Sequence, residues 1–152
     1  MKDIKIRILC IVAAALSVVA IIPIMFGFYE YYTTDSFGYQ YSYCEYGFEL
    51  YSDANRWWYI LIGVLGIISL LWNLVYGAYA IIDGRYRNLT WRIARYGYFY
   101  GIVVGIINFS VIISVCCNSL PAAWAFLVLV ATVVAVETTL ILLKDESSKG
   151  VN

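Results

Sequence analysis

One acid, two amides and a hydroxyl stand inside apolar runs that would not tolerate them without a reason. Glu137 lies in VVAVETTLILL, Asn73 in LLWNLVY, Asn108 in GIINFSV and Ser17 in AALSVVA. An ionised carboxyl in a hydrocarbon layer costs about 2.5–3.5 kcal/mol on insertion scales, so it needs a partner, a proton or water. Two kinds of chemistry fit. A carboxyl that gains and loses a proton at such depth is the working part of a proton or cation transporter. The same carboxyl held by amides is a structural node, or an acid near enough to the interface to reach it. Glu137 lies six residues before the end of its run at Leu143, about 9 Å along a helix. Ser17, Asn73 and Asn108 fall at similar or slightly deeper levels, so the four can meet as one intramembrane polar cluster. Ala131 and Ala135 lie on roughly the opposite side of the helix from Glu137. Either the acid faces the neighbouring helices and the alanines face outward, or the alanines pack and the acid meets a partner chain.

The cysteines offer a second chemistry. The four, Cys10, Cys44, Cys116 and Cys117, include no Cys-x-x-Cys pair, and the chain has no histidine. Histidine catalysis and histidine metal sites are thereby excluded, and zinc or thioredoxin-like readings lose their support. No nucleophile is paired with a base. The sequence therefore predicts no enzyme, no metal and no cofactor. Cys44 stands alone in a long polar loop, while Cys116 and Cys117 close an apolar run that ends on the same side. An oxidising compartment would preserve a bond between them, so a Cys44–Cys116 or Cys44–Cys117 disulfide is expected. The alternative is a buried apolar pair beside a free Cys44.

These residues need a scaffold, and composition names its class. Of 152 residues, 63% are apolar and 13% charged, against about half and a quarter in soluble domains. Four segments, 8–28, 57–82, 98–117 and 122–143, are long enough to cross about 30 Å of hydrocarbon. Residues 29–56 form one connecting loop, 83–97 the other, and 144–152 a polar tail. Nine of the ten basic residues, Lys2, Lys5, Arg7, Arg85, Arg87, Arg92, Arg95, Lys144 and Lys149, fall on one side of a four-span arrangement, and Arg56 alone on the other. The positive-inside rule then puts both termini and the 83–97 loop in the cytoplasm. An integral protein of the plasma membrane is expected. The basic residues hug the spans, where anionic headgroups attract each by about 1 kcal/mol. Arg85, Arg87, Arg92 and Arg95 are thus read as lipid contacts, and nothing points to nucleic acid.

Within the spans, Pro23 is expected to kink the end of the first helix. The second carries Gly66, Ser69, Asn73, Tyr76 and Gly77 on one face, and the third carries Gly97, Gly101 and Gly105. Small residues four apart let a second backbone approach closely, either within the chain or on another subunit. The 29–56 loop holds eight of the fifteen tyrosines. Its alternating stretch FGYQYSYC predicts a strand over residues 37–44, paired through a turn at 33–36 with a strand over 27–32. Phe37, Tyr39, Tyr41 and Tyr43 share one face, and Cys44 lies on the other.

The expected fold is thus an all-α membrane protein, a single domain forming a four-helix transmembrane bundle, with a small extracellular β-hairpin cap between the first and second spans. This tetraspan layout resembles the claudin-like superfamily in having four spans, cytoplasmic ends and a larger first outer loop with strand character. That family's Gly-Leu-Trp run with two loop cysteines is replaced here by Phe37-Gly38-Tyr39 and the single Cys44, so no site residue is carried over. The function expected from the residues is non-enzymatic: a structural, accessory or interaction subunit, in a homo- or hetero-oligomer with other membrane proteins, acting through the Tyr-rich loop and the small-residue faces. The alternative is a small transporter or channel using Glu137, Asn73 and Asn108.

Overall fold

The structure, a computed structural model, describes residues 2–51, 57–82, 88–115 and 120–149. In chain order the elements are α1 (Lys2–Val19), a 3₁₀ turn (Ile22–Met25), β1 (Gly27–Thr34), β2 (Gln40–Tyr46), a short α2 (Gly47–Leu50), α3 (Trp57–Ile82), α4 (Asn88–Val115) and α5 (Pro121–Lys149). Four helical segments, Ile4–Met25, Trp57–Ile82, Trp91–Ile113 and Pro121–Lys144, are long and apolar enough to cross a membrane.

Helix boundaries depart from expectation where backbone chemistry overrides hydropathy. Proline lacks the N–H that an interior helical turn needs. Accordingly α1 stops at Val19, before the proline, and Pro23 sits inside the tighter 3₁₀ turn. At the other end of the molecule, α4 starts at Asn88, ten residues ahead of the expected span, close to Thr90, where the sequence offers a cap for a helix that begins before the membrane. Helix α5 likewise runs on through the expected polar tail to Lys149.

The long helices form a square. Helix α1 packs on α3 and α5, and α4 packs on the same two, while among the described residues the diagonal pairs scarcely meet. Two clusters close the ends. At the end holding the start of α1, Ile6, Cys10, Ala13, Tyr76, Ala80, Trp91, Ala94, Tyr98 and Leu140 are buried together. Here the aromatics run as a ladder, with Tyr76 5.9 Å and Trp91 6.3 Å from Tyr98, ring centre to ring centre. At the hairpin end, Phe28, Leu50, Tyr59, Val111, Ile112, Ala123, Phe126 and Leu127 form the second cluster. Arg7 spans a helix joint: its guanidinium donates to the carbonyls of Ala80 and, at 2.7 Å, Ile81. These carbonyls lie in the last turn of α3, where a cation also suits the helix dipole.

Strands β1 and β2 pair antiparallel, with Glu30 opposite Cys44, Tyr32 opposite Ser42 and Thr34 opposite Gln40. One backbone bond ties the hairpin to the bundle top, Leu120 N–H to Phe28 O at 2.8 Å, and a second, Gly47 N–H to Phe26 O at 3.2 Å, closes the base of the hairpin. The second strand begins later than the alternating pattern predicts. Phe37 lies in the turn, because Asp35 organises residues 35–39 from its side chain. Its Oδ1 accepts from the N–H of Phe37 at 2.8 Å and of Tyr39 at 2.9 Å, and its Oδ2 from the Tyr41 hydroxyl at 3.2 Å. Gly38 supplies the one positive φ among the described residues, +85°, a conformation open to glycine without a Cβ clash.

Partial burial works to raise the Asp35 pKa, but the bonds from Tyr39, Phe37, Tyr41 and Gly38 outweigh it and hold the carboxyl below its ordinary value of 3.8. A carboxylate with a depressed pKa supports the fold above its unfolded pKa and loses that support as pH falls through the folded one. The amide shifts of Phe37 and Tyr39 are therefore expected to titrate together on acidification, with a midpoint below the ordinary 3.8. In Asp35→Asn that acid transition is expected to vanish from an NMR titration.

Candidate functional site

The centre of the square is closed by a polar node. The Asn73 side-chain amide nitrogen donates to Glu137 Oε1 at 2.8 Å and to Ser17 Oγ at 2.9 Å. Ser17 passes the chain on, its hydroxyl donating to Ala13 O at 2.8 Å. Helices α1, α3 and α5 thus meet through one amide nitrogen, and the amide oxygen of Asn73 takes part in neither bond. Helix α4 supplies the fourth wall with Gly101. A Cβ on Gly101 would stand 2.5 Å from Glu137 Oε1 and 2.7 Å from Oε2, so the carboxyl occupies space that only a glycine leaves. Asn73 lies nine residues from the end of α3 at Ile82, about 13 Å along the axis.

Glu137 is completely buried and faces the bundle, whereas Ala131 and Ala135 are exposed. Of the two arrangements open from sequence, the structure has the acid inward and the alanines outward. Two buried side-chain atoms among the described residues have no hydrogen-bond partner: Glu137 Oε2 and Trp72 Nε1. Both lie against the glycine face of α4, the carboxyl at Gly101 and the indole at Gly97. They are thus one helical turn apart. Gly105 continues the face against Val134 of α5. The run Gly97, Gly101, Gly105 is consumed within the chain, by side chains of α3 and α5 and not by a second helix backbone.

Asn108 stands apart from the node. Its Nδ2 donates to Val104 O at 3.0 Å, and its Oδ1 accepts from the Tyr51 hydroxyl at 2.8 Å. The sequence places Asn108 two turns from Gly101, about 10 Å nearer the hairpin. Tyr51, which follows α2, was not singled out by its spacing, since nothing local in a loop tyrosine signals a partner fifty-seven residues away. The four-residue cluster is therefore two sites, Ser17–Asn73–Glu137 and Tyr51–Asn108.

Between these two polar sites lies a cavity of about 490 Å³. Ser17, Asn73 and Gly101 line it at the node end, Tyr51 and Asn108 at the hairpin end, and mostly valine, isoleucine and glycine between.

Cys44 is an exposed, free thiol, with its sulfur against Gly27 and close to the Leu120 side chain. Cys116 and Cys117 lie outside the described residues, and no disulfide is present among those described. Of the expected outer face, Phe37 is in the turn, while Tyr39, Tyr41 and Tyr43 are all exposed. Arg92 and Arg95 are exposed on α4; Arg85 and Arg87 lie outside the described residues. Comparisons with protein-family models, curated proteins and solved structures find no match for this chain. The claudin-like resemblance thus gains no support from them.

Asn73→Leu, near in size, removes both bonds and strands the Glu137 carboxyl, while Ser17 keeps its bond to Ala13 O. A stranded buried group costs about 1–3 kcal/mol, more when charged, so a clear fall in melting temperature in mild detergent is expected. Gly101→Ala is expected to destabilise as well, and to do so less in a Glu137→Ala background, where the carboxyl that the new methyl strikes is gone. Equal losses in both backgrounds would contradict the packing.

Proposed function

We propose that this chain is a non-enzymatic integral membrane protein that works as an accessory or interaction subunit through its hairpin. The observation that carries this reading is the row Tyr39, Tyr41 and Tyr43, exposed to 67%, 48% and 52% although the hairpin itself is fastened to the bundle. Two of these rings, Tyr41 and Tyr43, are held in β2 and Tyr39 is held just before it by Asp35; rings so fixed are costly to leave facing water, and tyrosine is enriched at protein interfaces. The described hairpin and α2, residues 27–50, carry four acids, Glu30, Asp35, Glu45 and Glu49, and no basic residue. The partner this surface suits is another membrane protein whose outer face offers lysine or arginine among apolar groups, the cations meeting tyrosine faces and carboxylates alike. The basic residues Lys5, Arg7, Arg92, Arg95 and Lys144 cluster at the opposite end, which supports a cytoplasmic position for that end and for both termini.

The small-residue faces no longer argue for an oligomer, because Gly97, Gly101 and Gly105 are filled from within. A transport reading has one observation in its favour, the unpartnered Oε2 of Glu137. Against it, Asn108 is tied to Tyr51 instead of continuing a path from Asn73.

Purified in mild detergent from its native membrane, the chain is expected to carry a second membrane protein at fixed stoichiometry. The triple substitution Tyr39→Ser, Tyr41→Ser and Tyr43→Ser should abolish that association without lowering the melting temperature. In proteoliposomes, neither the native chain nor Glu137→Gln should support ion- or proton-driven flux. A solitary monomer with Glu137-dependent flux would reverse the choice between the two readings.

A further inference from the structure

The cavity deserves an occupant on chemical grounds. Its size falls within the ordinary range for a small-molecule site, about 300–1,000 Å³. Glycines stand on its walls, Gly63 and Gly66 on α3 and Gly101 and Gly105 on α4, and of these Gly66 is the one whose own space is left open. At Gly66 a Cβ would meet nothing nearer than Asn108 Nδ2 at 3.7 Å, so the space beside it is open. The side walls are apolar, with Leu70, Val104, Phe126 and Val130 among them. Apart from Ser69 on α3, between Asn73 and Gly66, the polar side chains stand at the two ends. At the floor, Ser17 and Asn73 face the space, and Asn73 gives both of its bonds from nitrogen, so its oxygen is left as an acceptor.

The way in is apolar as well. Ile21, Met25, Phe48 and Ile67 line the cavity and are also exposed. They lie where α1 has given way to the 3₁₀ turn and its continuation parts from α3. Farther down, the two helices touch, and a Cβ on Gly77 would stand 2.5 Å from Ala14 Cβ. The mouth therefore opens sideways between α1 and α3 near the hairpin, with an apolar rim that suits hydrocarbon better than water. No lysine or arginine lines the cavity, and its neighbouring acid, Glu137, is sealed behind Asn73 and Gly101.

We propose that this cavity binds a neutral single-chain lipid alcohol, a long apolar molecule with one hydroxyl, which enters from the membrane through the gap between α1 and α3. The hydroxyl donates to the Asn73 amide oxygen beside Ser17, and the chain lies along the wall of glycines and branched aliphatic residues. Each end of the site meets one part of such a molecule: a fixed acceptor for the hydroxyl and an apolar mouth for the tail.

The test uses the full-length protein in mild detergent and a long-chain alcohol carrying a photoreactive diazirine in mid-chain. Crosslinks are expected at cavity residues such as Leu70, Val130 and Val134. Unlabelled alcohol should compete about tenfold better than the alkane of equal length, the difference being the worth of one hydrogen bond. Gly66→Leu fills the open space without touching the node, and should abolish cavity crosslinking while its melting temperature stays at or above the native value. Asn73→Leu, where it folds, should bring the alcohol down to the alkane. Equal competition by alcohol and alkane, or labelling that survives Gly66→Leu or spreads over outward residues such as Val75 and Val128, would overturn the proposal and leave only partitioning of detergent-like chains.

Discussion

A single amide nitrogen holds the middle of this bundle. Asn73 Nδ2 donates to Ser17 and Glu137 at once, and these three residues belong to three helices. In hydrocarbon there is little hydrophobic gain from helix association, because lipid tails are as apolar as leucine. Packing and interhelical hydrogen bonds must then specify which faces meet. Here they do so at one level: the node fixes the rotation of α1, α3 and α5, and Gly101 of α4 is the residue that makes room for the carboxyl. The hydrogen bond between Asn73 and Glu137 runs across a diagonal of the square, where the backbones themselves hardly approach.

That crossing explains the uneven filling on its two sides. Toward the termini, large aromatics occupy the axis, and the Tyr98 hydroxyl reaches Cys10 Sγ at 3.2 Å across the other diagonal. Toward the hairpin, α4 and α5 close on Phe28 and Tyr59 while α1 ends early, at Val19. The 3₁₀ turn carries the chain over to the hairpin, and the cavity is the volume left between. The tyrosine row and the cavity are thus consequences of one choice, the termination of the first helix ahead of Pro23. It frees the chain to form a cap, and it leaves the upper half of the square with one wall short.

Much of the scaffold was legible because hydropathy reports on length and burial. The four spans follow from apolar runs, and the meeting of Glu137, Asn73 and Ser17 follows from the cost of leaving each in hydrocarbon. Orientation of Glu137 was not legible, since α5 is apolar on every side and offers no moment to choose between inward and outward. Phe37 was misread as a strand residue because alternation of residue type is silent about side-chain bonds, and Asp35 uses such bonds to bend residues 35–39. The glycines were read for close helix approach, and in α4 their space is taken by side chains. Those in α3 partly leave theirs open, a distinction that depends on what the facing helix presents. The Tyr51–Asn108 bond had no local signature at all.

The central claim is that Asn73 joins Glu137 inside the bundle. Solid-state NMR on protein in lipid, with ¹⁵N at the Asn73 side-chain amide and ¹³C at the Glu137 carboxyl, measures that separation directly. A hydrogen bond of 2.8 Å requires strong dipolar dephasing, with nitrogen and carboxyl carbon about 3.5–4 Å apart. Absence of dephasing, meaning a separation beyond roughly twice a hydrogen-bond length, would contradict the account and release Glu137 to face something other than its own bundle.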